Sequence, residues 1–156
     1  MIGPPEADND YLVNHVGILL ESYERLIGQP LLIPLYSPAA TARAIFNADF
    51  AVLSSGTEPE PLFNYANQTA LSLFEFDWYS LTKLPARESA EPVHQSTRAK
   101  LMQQVQETGF IQDYAGIRIS ASGRRFMIEG ATVWNVIDAK GMIHGQAATF
   151  SHWRDV

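Results

Sequence analysis

The sequence predicts an α+β fold: a five-stranded antiparallel sheet with short helices on one face and an N-terminal amphipathic helix packing near the other. Three observations predict it. Two short apolar runs, residues 50–55 and 62–66, flank a Gly/Pro turn and read as a hairpin. Three longer runs close the chain, separated by the four-residue turns 120–123 and 138–141, which makes them antiparallel neighbours. The longest run, 125–137, is apolar on both faces, so the sheet needs cover on both sides.

The elements follow in order. Residues 1–9 are Pro-rich and acidic and read as a flexible N-terminus. Asp8 or Asp10 is placed to cap a helix running to about Ile27, with Gly28 as its stop. Within it Leu12, Val16, Leu19, Leu20, Tyr23, Leu26 and Ile27 share a face, and Asn14, Glu21, Ser22 and Arg25 lie opposite. Pro30, Pro34 and Pro38 bound an irregular stretch. Ser37 then caps a short helix over 38–47, with Pro38 at its first position. Residues 10–48 thus form an N-terminal helical extension, and 49–154 the sheet-bearing domain.

After the hairpin, Asn67 caps a short helix to about Phe74 and Asp77 caps a single turn, 78–81. Ser89 or Glu91 opens a longer helix that ends at Gly109. Strands follow over 110–120, 125–137 and 142–153. Strict alternation in the middle strand places Phe126, Ile128, Thr132, Trp134 and Val136 on one face, with Met127, Ala131, Val133 and Ile137 on the other.

Composition narrows the function classes. The 156 residues suit one core, and 46% apolar against 18% charged residues is a globular balance. Eleven basic against 17 acidic residues give a net charge of −6, which repels phosphate backbones and anionic headgroups. Nucleic acid and membrane surfaces are therefore poor partners. The absence of cysteine removes disulfides, thiolate nucleophiles, thiolate metal sites and cysteinyl cofactor adducts. No signal peptide or membrane span is legible, so the expected location is cytoplasmic.

Residues 64–67 (Asn-Tyr-Ala-Asn), followed by Ala70, Leu73, Phe74 and Phe76-Asp77, resemble the PAS pattern of an asparagine ending the second strand and an aromatic ending the next helix. The turns at 123–126 and 138–141 resemble the two PAS meander turns. More narrowly, residues 63–67, 113–119 (Asp-Tyr-Ala-Gly-Ile-Arg-Ile), 123–126, 131–135 (Ala-Thr-Val-Trp-Asn) and 145–148 resemble the MEKHLA family, over roughly residues 12–153. That family is PAS-related and occurs at the C-terminus of plant homeodomain–leucine-zipper factors and as small bacterial proteins. The resemblance implies a PAS-like sensory or regulatory domain without naming a ligand. Light-oxygen-voltage sensors, a PAS subclass, need a cysteine just after the short helices. Residues 84–87 (Leu-Pro-Ala-Arg) hold none, which excludes photoadduct chemistry. Alignment on the Gly123 turn puts Arg118 and Ile128 where that subclass uses amides on its flavin, and Phe150 near its last-strand glutamine. A flavin site of that type is disfavoured, and the cofactor stays unassigned.

Candidate site residues follow from chemistry. Tyr65, Trp78, Trp134 and Phe150 are candidates to line an aromatic pocket for a planar ligand. Arg118 interrupts Ile117 and Ile119 on a strand placed in the interior, where a guanidinium snorkels, meets a carboxylate or meets a bound anion. Gln146 lies beside Gly145, Ala147 and Ala148, and a buried amide needs partners. His94 opens the long helix, where some PAS domains hold haem. No histidine or carboxylate grouping has metal-ligand spacing, and no nucleophile or phosphate-loop motif is present. The leading expectation is a non-enzymatic sensory or regulatory domain that binds a small molecule or a protein partner, with a homodimer as a further option. The alternative is a small cone-shaped α+β enzyme of isomerase or dehydratase type. It would assemble an Asp/His or Tyr/His pair from Asp113, Tyr114, His144 and His152 in a closed pocket.

Overall fold

One antiparallel sheet, covered on one face by helices from the N-terminal part of the sequence and on the other by helices from its middle, organises the molecule. The computed structural model describes residues 2–156. The strands are β1 (Ala51–Ser55), β2 (Phe63–Ala66), β3 (Phe110–Ile119), β4 (Arg125–Ile137), β5 (Ile143–Phe150) and β6 (His152–Asp155). The helices are α1 (Val13–Ile27), α2 (Pro38–Phe46), α3 (Gln68–Phe74), α4 (Trp78–Leu81) and α5 (Pro92–Thr108). Strand order is β2-β1-β5-β4-β3, with β6 also on β4. The run expected as one last strand breaks at Ser151, and both pieces pair with β4: Thr149 opposes Thr132, and Trp153 opposes Ile128.

The alternation expected for β4 fails at its middle. Gly130 takes φ +62° and Asp113, on the adjacent strand, takes φ +59°. Tyr114 pairs with Ala131 but Gly116 pairs with Ile128, and Ile111 pairs with Val133. Each strand therefore carries one extra residue, and the two bulges compensate along the ladder. The parity of β4 flips between Ile128 and Ala131. Phe126, Ile128 and Ala131 pack with α3 and α4 on the inner face, while Trp134 and Val136 pack with α1 and α2 on the outer face. Expecting Phe126, Ile128, Thr132, Trp134 and Val136 on one face is thus corrected by a glycine able to hold a left-handed conformation.

Asn67 joins these layers. Its side chain is fully buried. Oδ1 accepts from Val52 N (3.0 Å) and Ala70 N (3.1 Å), and Nδ2 donates to Ile45 O (3.0 Å) and Phe50 O (2.8 Å). One amide thereby caps α3 and ties it to β1 and to the end of α2. Ser37 and Asp77 cap α2 and α4, accepting from Ala40 N and Ser80 N, as short polar side chains at helix entries should. Neither Asp8 nor Asp10 caps α1, contrary to expectation. Asp10 ends the preceding 3-10 turn (Ala7–Asn9) in a left-handed conformation, and Leu12, also left-handed, precedes the first turn of α1. At the N-terminus, Trp78 Nε1 of α4 donates to Ile2 O at 3.1 Å. On the outer face Val16, Leu19 and Tyr23 of α1 cover Trp134 and Val136, and Trp134 Nε1 donates to Leu19 O at 3.3 Å.

Candidate functional site: an arginine-lined cavity on the inner face

Between the inner face and α5 lies a cavity of about 50 Å³. Its walls are mostly apolar: Leu53, Phe63, Phe74, Ile128, Val133 and Phe150, with Ala148 and Met102 closing the sides. Its polar members are Ser54, Ser55, Ser89, Arg98, Tyr114, Arg118 and Gln146. A larger groove of about 540 Å³ adjoins it, formed by residues 56–61 of the β1–β2 connection, α5 and the start of β5. Cavity and groove share Ser55, Arg98, Met102 and Gln146.

Arg118 reaches this cavity because β3 alternates. Tyr114, Gly116 and Arg118 lie opposite Ala131, Ile128 and Phe126, the inner-face residues of β4. The arginine is 6% exposed. Its Nη1 donates to Ile117 O at 2.9 Å, its Nη2 points to the Tyr114 hydroxyl at 3.4 Å, and its guanidinium carbon lies 5.6 Å from the Tyr114 ring centre. Three of the five N–H groups of a guanidinium remain without a partner among the described residues. A Cβ at Gly116 would collide with the Tyr114 hydroxyl and touch Arg118 Nη1. The missing side chain is what lets tyrosine and arginine meet.

Arg98 enters from α5. Burial and the nearby Arg118 charge lower its pKa from 12.5 to about 10. Neither arginine forms an ion pair among the described residues. Gln146 is half-buried; its Nε2 donates to Met102 O (2.8 Å) and Asn135 Oδ1 (3.3 Å), while Asn135 Nδ2 donates to Gln106 O (3.3 Å). This polar layer anchors α5 to the sheet.

The six candidate site residues fall into two groups. Arg118, Gln146 and Phe150 line the cavity. Tyr65, Trp78 and Trp134 lie on the outer face, packed in the cluster under α1. Tyr65 meets Trp78 edge-on at 6.0 Å, and Tyr23 meets Trp134 edge-on at 4.9 Å. The structure therefore does not gather the aromatics around one planar ligand. Burial pushes the Tyr65 hydroxyl up, and that oxygen has no partner among the described residues. Ile128, placed by the Gly123 turn alongside Arg118 and Phe150, lines the cavity with them. Arg98 was not singled out from sequence. Its spacing from Met102, one helical turn on, was the available signal.

The parts of the acid–base alternative are dispersed. Asp113 and His152 are exposed, Tyr114 alone lines the cavity, and His144 pairs with Asp138 at 2.9 Å in the β4–β5 turn. His94 lies in the first turn of α5 and is not among the cavity-lining residues. Among the described residues no three His, Asp or Glu side chains gather as metal ligands, and no helix is long and apolar enough to cross a membrane.

Comparison with known proteins agrees with this architecture. A PAS domain from Colwellia psychrerythraea superposes with a TM-score of 0.60 at 13% identity, covering 75% of this chain and 94% of that one. A light-oxygen-voltage domain studied with a flavin analogue gives 0.58 at 15% identity, covering 75% and 84%. Among curated sequences, the homeobox-leucine zipper protein REVOLUTA of Arabidopsis thaliana is 30% identical over 97% of this chain. The chain spans less than a fifth of the length of the curated relatives it matches. The family model of the MEKHLA domain matches residues 13–155. The strand order, the inner-face helices and this match over nearly the whole chain agree: it belongs to the MEKHLA domain family and has a PAS-like fold.

Proposed function

We propose that the chain is a non-enzymatic regulatory domain that binds a small molecule in the inner-face cavity and passes its occupancy through the sheet to the α1 face. The supporting observation is Arg118: a charged side chain at 6% exposure, lining a cavity, without an ion-pair partner among the described residues. An unpaired buried charge is strongly unfavourable, and a ligand that pairs with it removes that penalty.

The route outward is one residue thick. Leu53, Val133 and Ala148 line the cavity. Their chain neighbours Val52, Trp134 and Ala147 pack beneath α1 and α2. A ligand that spreads or draws together β1, β4 and β5 thus acts directly on the bed of α1.

Filling the cavity tests this reading. Ala148→Leu projects three extra carbons into it. Thermal shift of the wild-type and filled proteins against a panel of small organic acids, amides and aromatics should yield compounds that stabilise the wild type alone. A ligand at 100 times its Kd adds about 2.7 kcal/mol, enough to move the midpoint by several degrees. Compounds that stabilise both proteins equally, or none that stabilises either, would count against ligand sensing.

A protein partner is the second reading, and the α1–α2 connection favours it. Ile33 is 80% and Tyr36 95% exposed, a large apolar display for so short a loop. If that loop mediates self-association, Tyr36→Glu should convert a sedimenting dimer into a monomer.

A further inference from the structure

We infer that the cavity takes a short-chain monocarboxylate, with its carboxylate between Arg98 and Arg118 and its hydrocarbon tail against Phe63, Phe74, Ile128 and Phe150. This rests on the ligand-sensing reading above and adds the ligand's charge, size and orientation.

Charge comes first. Two guanidiniums from different elements, α5 and β3, line one small space, and neither is answered by a carboxylate among the described residues. Burial raises the cost of the Arg98 charge, and the nearby Arg118 charge adds to it. Among the described residues Arg118 keeps three N–H groups without partners, and Arg98 makes no hydrogen bond to any of them. A carboxylate accepts from such planar donors two at a time.

Polarity distinguishes a carboxylate from phosphate or sulfate. Apart from the arginines, Tyr114, Gln146 and three serines (Ser54, Ser55 and Ser89), the cavity presents aromatic rings and alkyl groups. Phosphate oxygens would face phenyl rings, where desolvation is not repaid by hydrogen bonds. A carboxylate places both oxygens at one end and leaves the other end apolar.

Size and orientation follow from the volumes. At about 50 Å³, and with roughly 10–15 Å³ per water-sized centre, the cavity holds about four non-hydrogen atoms. Arg98 lies on both the cavity and the groove, so the charged end sits at that junction and a tail of two or three carbons fills the interior. Gly116 belongs to the same device, because any side chain there would part Tyr114 from Arg118.

Propionate and propionamide share shape and differ in charge, and they provide the test. The side-chain Nε–Hε resonances of Arg98 and Arg118 are followed by NMR as each compound is titrated, with inorganic phosphate as a third probe. Propionate should shift both resonances saturably, and propionamide and phosphate should bind at least tenfold more weakly. Arg98→Gln, a change on a half-buried helix position, should weaken propionate at least tenfold and leave propionamide unchanged. Arg118→Gln should do the same if it folds; the wild-type comparison needs no variant. Equal binding of propionamide would overturn the inference while leaving a ligand cavity in place. Phosphate binding as tightly as propionate would overturn the carboxylate in favour of a general anion site. If propionate moves neither arginine, the inference fails, and the Ala148→Leu comparison decides separately whether the cavity binds anything else.

Discussion

At the level of single residues, Asn67 and Gly116 show how one side chain, or the lack of one, fixes several layers. Asn67 uses both ends of its amide in four hydrogen bonds inside a fully buried site. Replacing it with alanine orphans donors on β1 and α3 and acceptors at Ile45 and Phe50, each worth roughly 1–3 kcal/mol when left unpaired. Asn67→Ala should therefore destabilise by about 3 kcal/mol or more in urea unfolding. Asn67→Asp keeps the two acceptor contacts but loses both donors and buries a charge, so it should be no better. A loss below about 1 kcal/mol for either would show that the network is not holding the layers together. Gly116→Ala should cost about 1–3 kcal/mol by overpacking and weaken any ligand held by Arg118. The legibility of these residues differs for a physical reason. A capping asparagine leaves a local mark, because its acceptor serves an amide three residues on. Arg98 left almost none, since its role depends on a strand distant in sequence.

Among the elements, helices declared themselves more clearly than faces did. Ser37, Asn67 and Asp77 each sit one residue before a helix, and Gly28 and Gly109 each follow one in a positive-φ conformation. Those are local stereochemical signals. The face of β4 was misread because two bulges, near Asp113 and Gly130, reverse its parity, and period-two reading has no way to register an inserted residue. The cavity itself was legible through Arg118, Gln146 and Phe150, with Ile128 from the turn alignment and Tyr114 from the acid–base alternative, while the other aromatics chosen as site residues belong to the other side of the sheet. The element with the thinnest anchorage is α5, whose buried residues are only Leu101 and Val105. It is also held by half-buried Met102, packed in the cluster of Leu101, Val105 and Val133, and by the polar layer of Gln146 and Asn135 on the Met102 and Gln106 carbonyls. Gln146→Leu removes that clip and should speed amide exchange over the C-terminal half of α5 by about tenfold, the equivalent of one hydrogen bond of ~1.4 kcal/mol. Exchange in the central part of β4 should stay unchanged. Uniform acceleration across both would mean that α5 does not open separately, and that the cavity is closed by the whole core.

For the molecule as a whole, one histidine should make the two helical layers respond differently to acid. His15 lies under α1, with Nε2 2.9 Å from Ser54 Oγ and its ring 5.8 Å from that of Tyr65. Burial, with a smaller contribution from His144, lowers its pKa from 6.5 to about 4. The two histidines differ in their partners: His144 has Asp138 at 2.9 Å, whereas His15 has no carboxylate within ion-pair distance among the described residues. A folded pKa below the unfolded one means that the unfolded chain binds the extra proton first. Stability is therefore full above about pH 6.5 and falls as the pH drops towards 4, by at most about 3 kcal/mol. Depressed carboxylates act lower down. Hydrogen bonds hold the pKa values of Glu75, Asp77 and Asp138 below the ordinary range, and their contributions are lost as the pH falls through those folded values. The window from 6.5 to about 5, above the ordinary carboxylate range, thus isolates His15. His15→Asn retains a polar partner for Ser54 without a titrating ring, and its urea midpoint should vary less with pH across that window than the wild type's. Parallel pH profiles for the two proteins would remove His15 as the cause. Since His15 bridges α1 and β1, the loss should appear first as faster amide exchange in α1, with the inner-face helices protected until the carboxylates titrate.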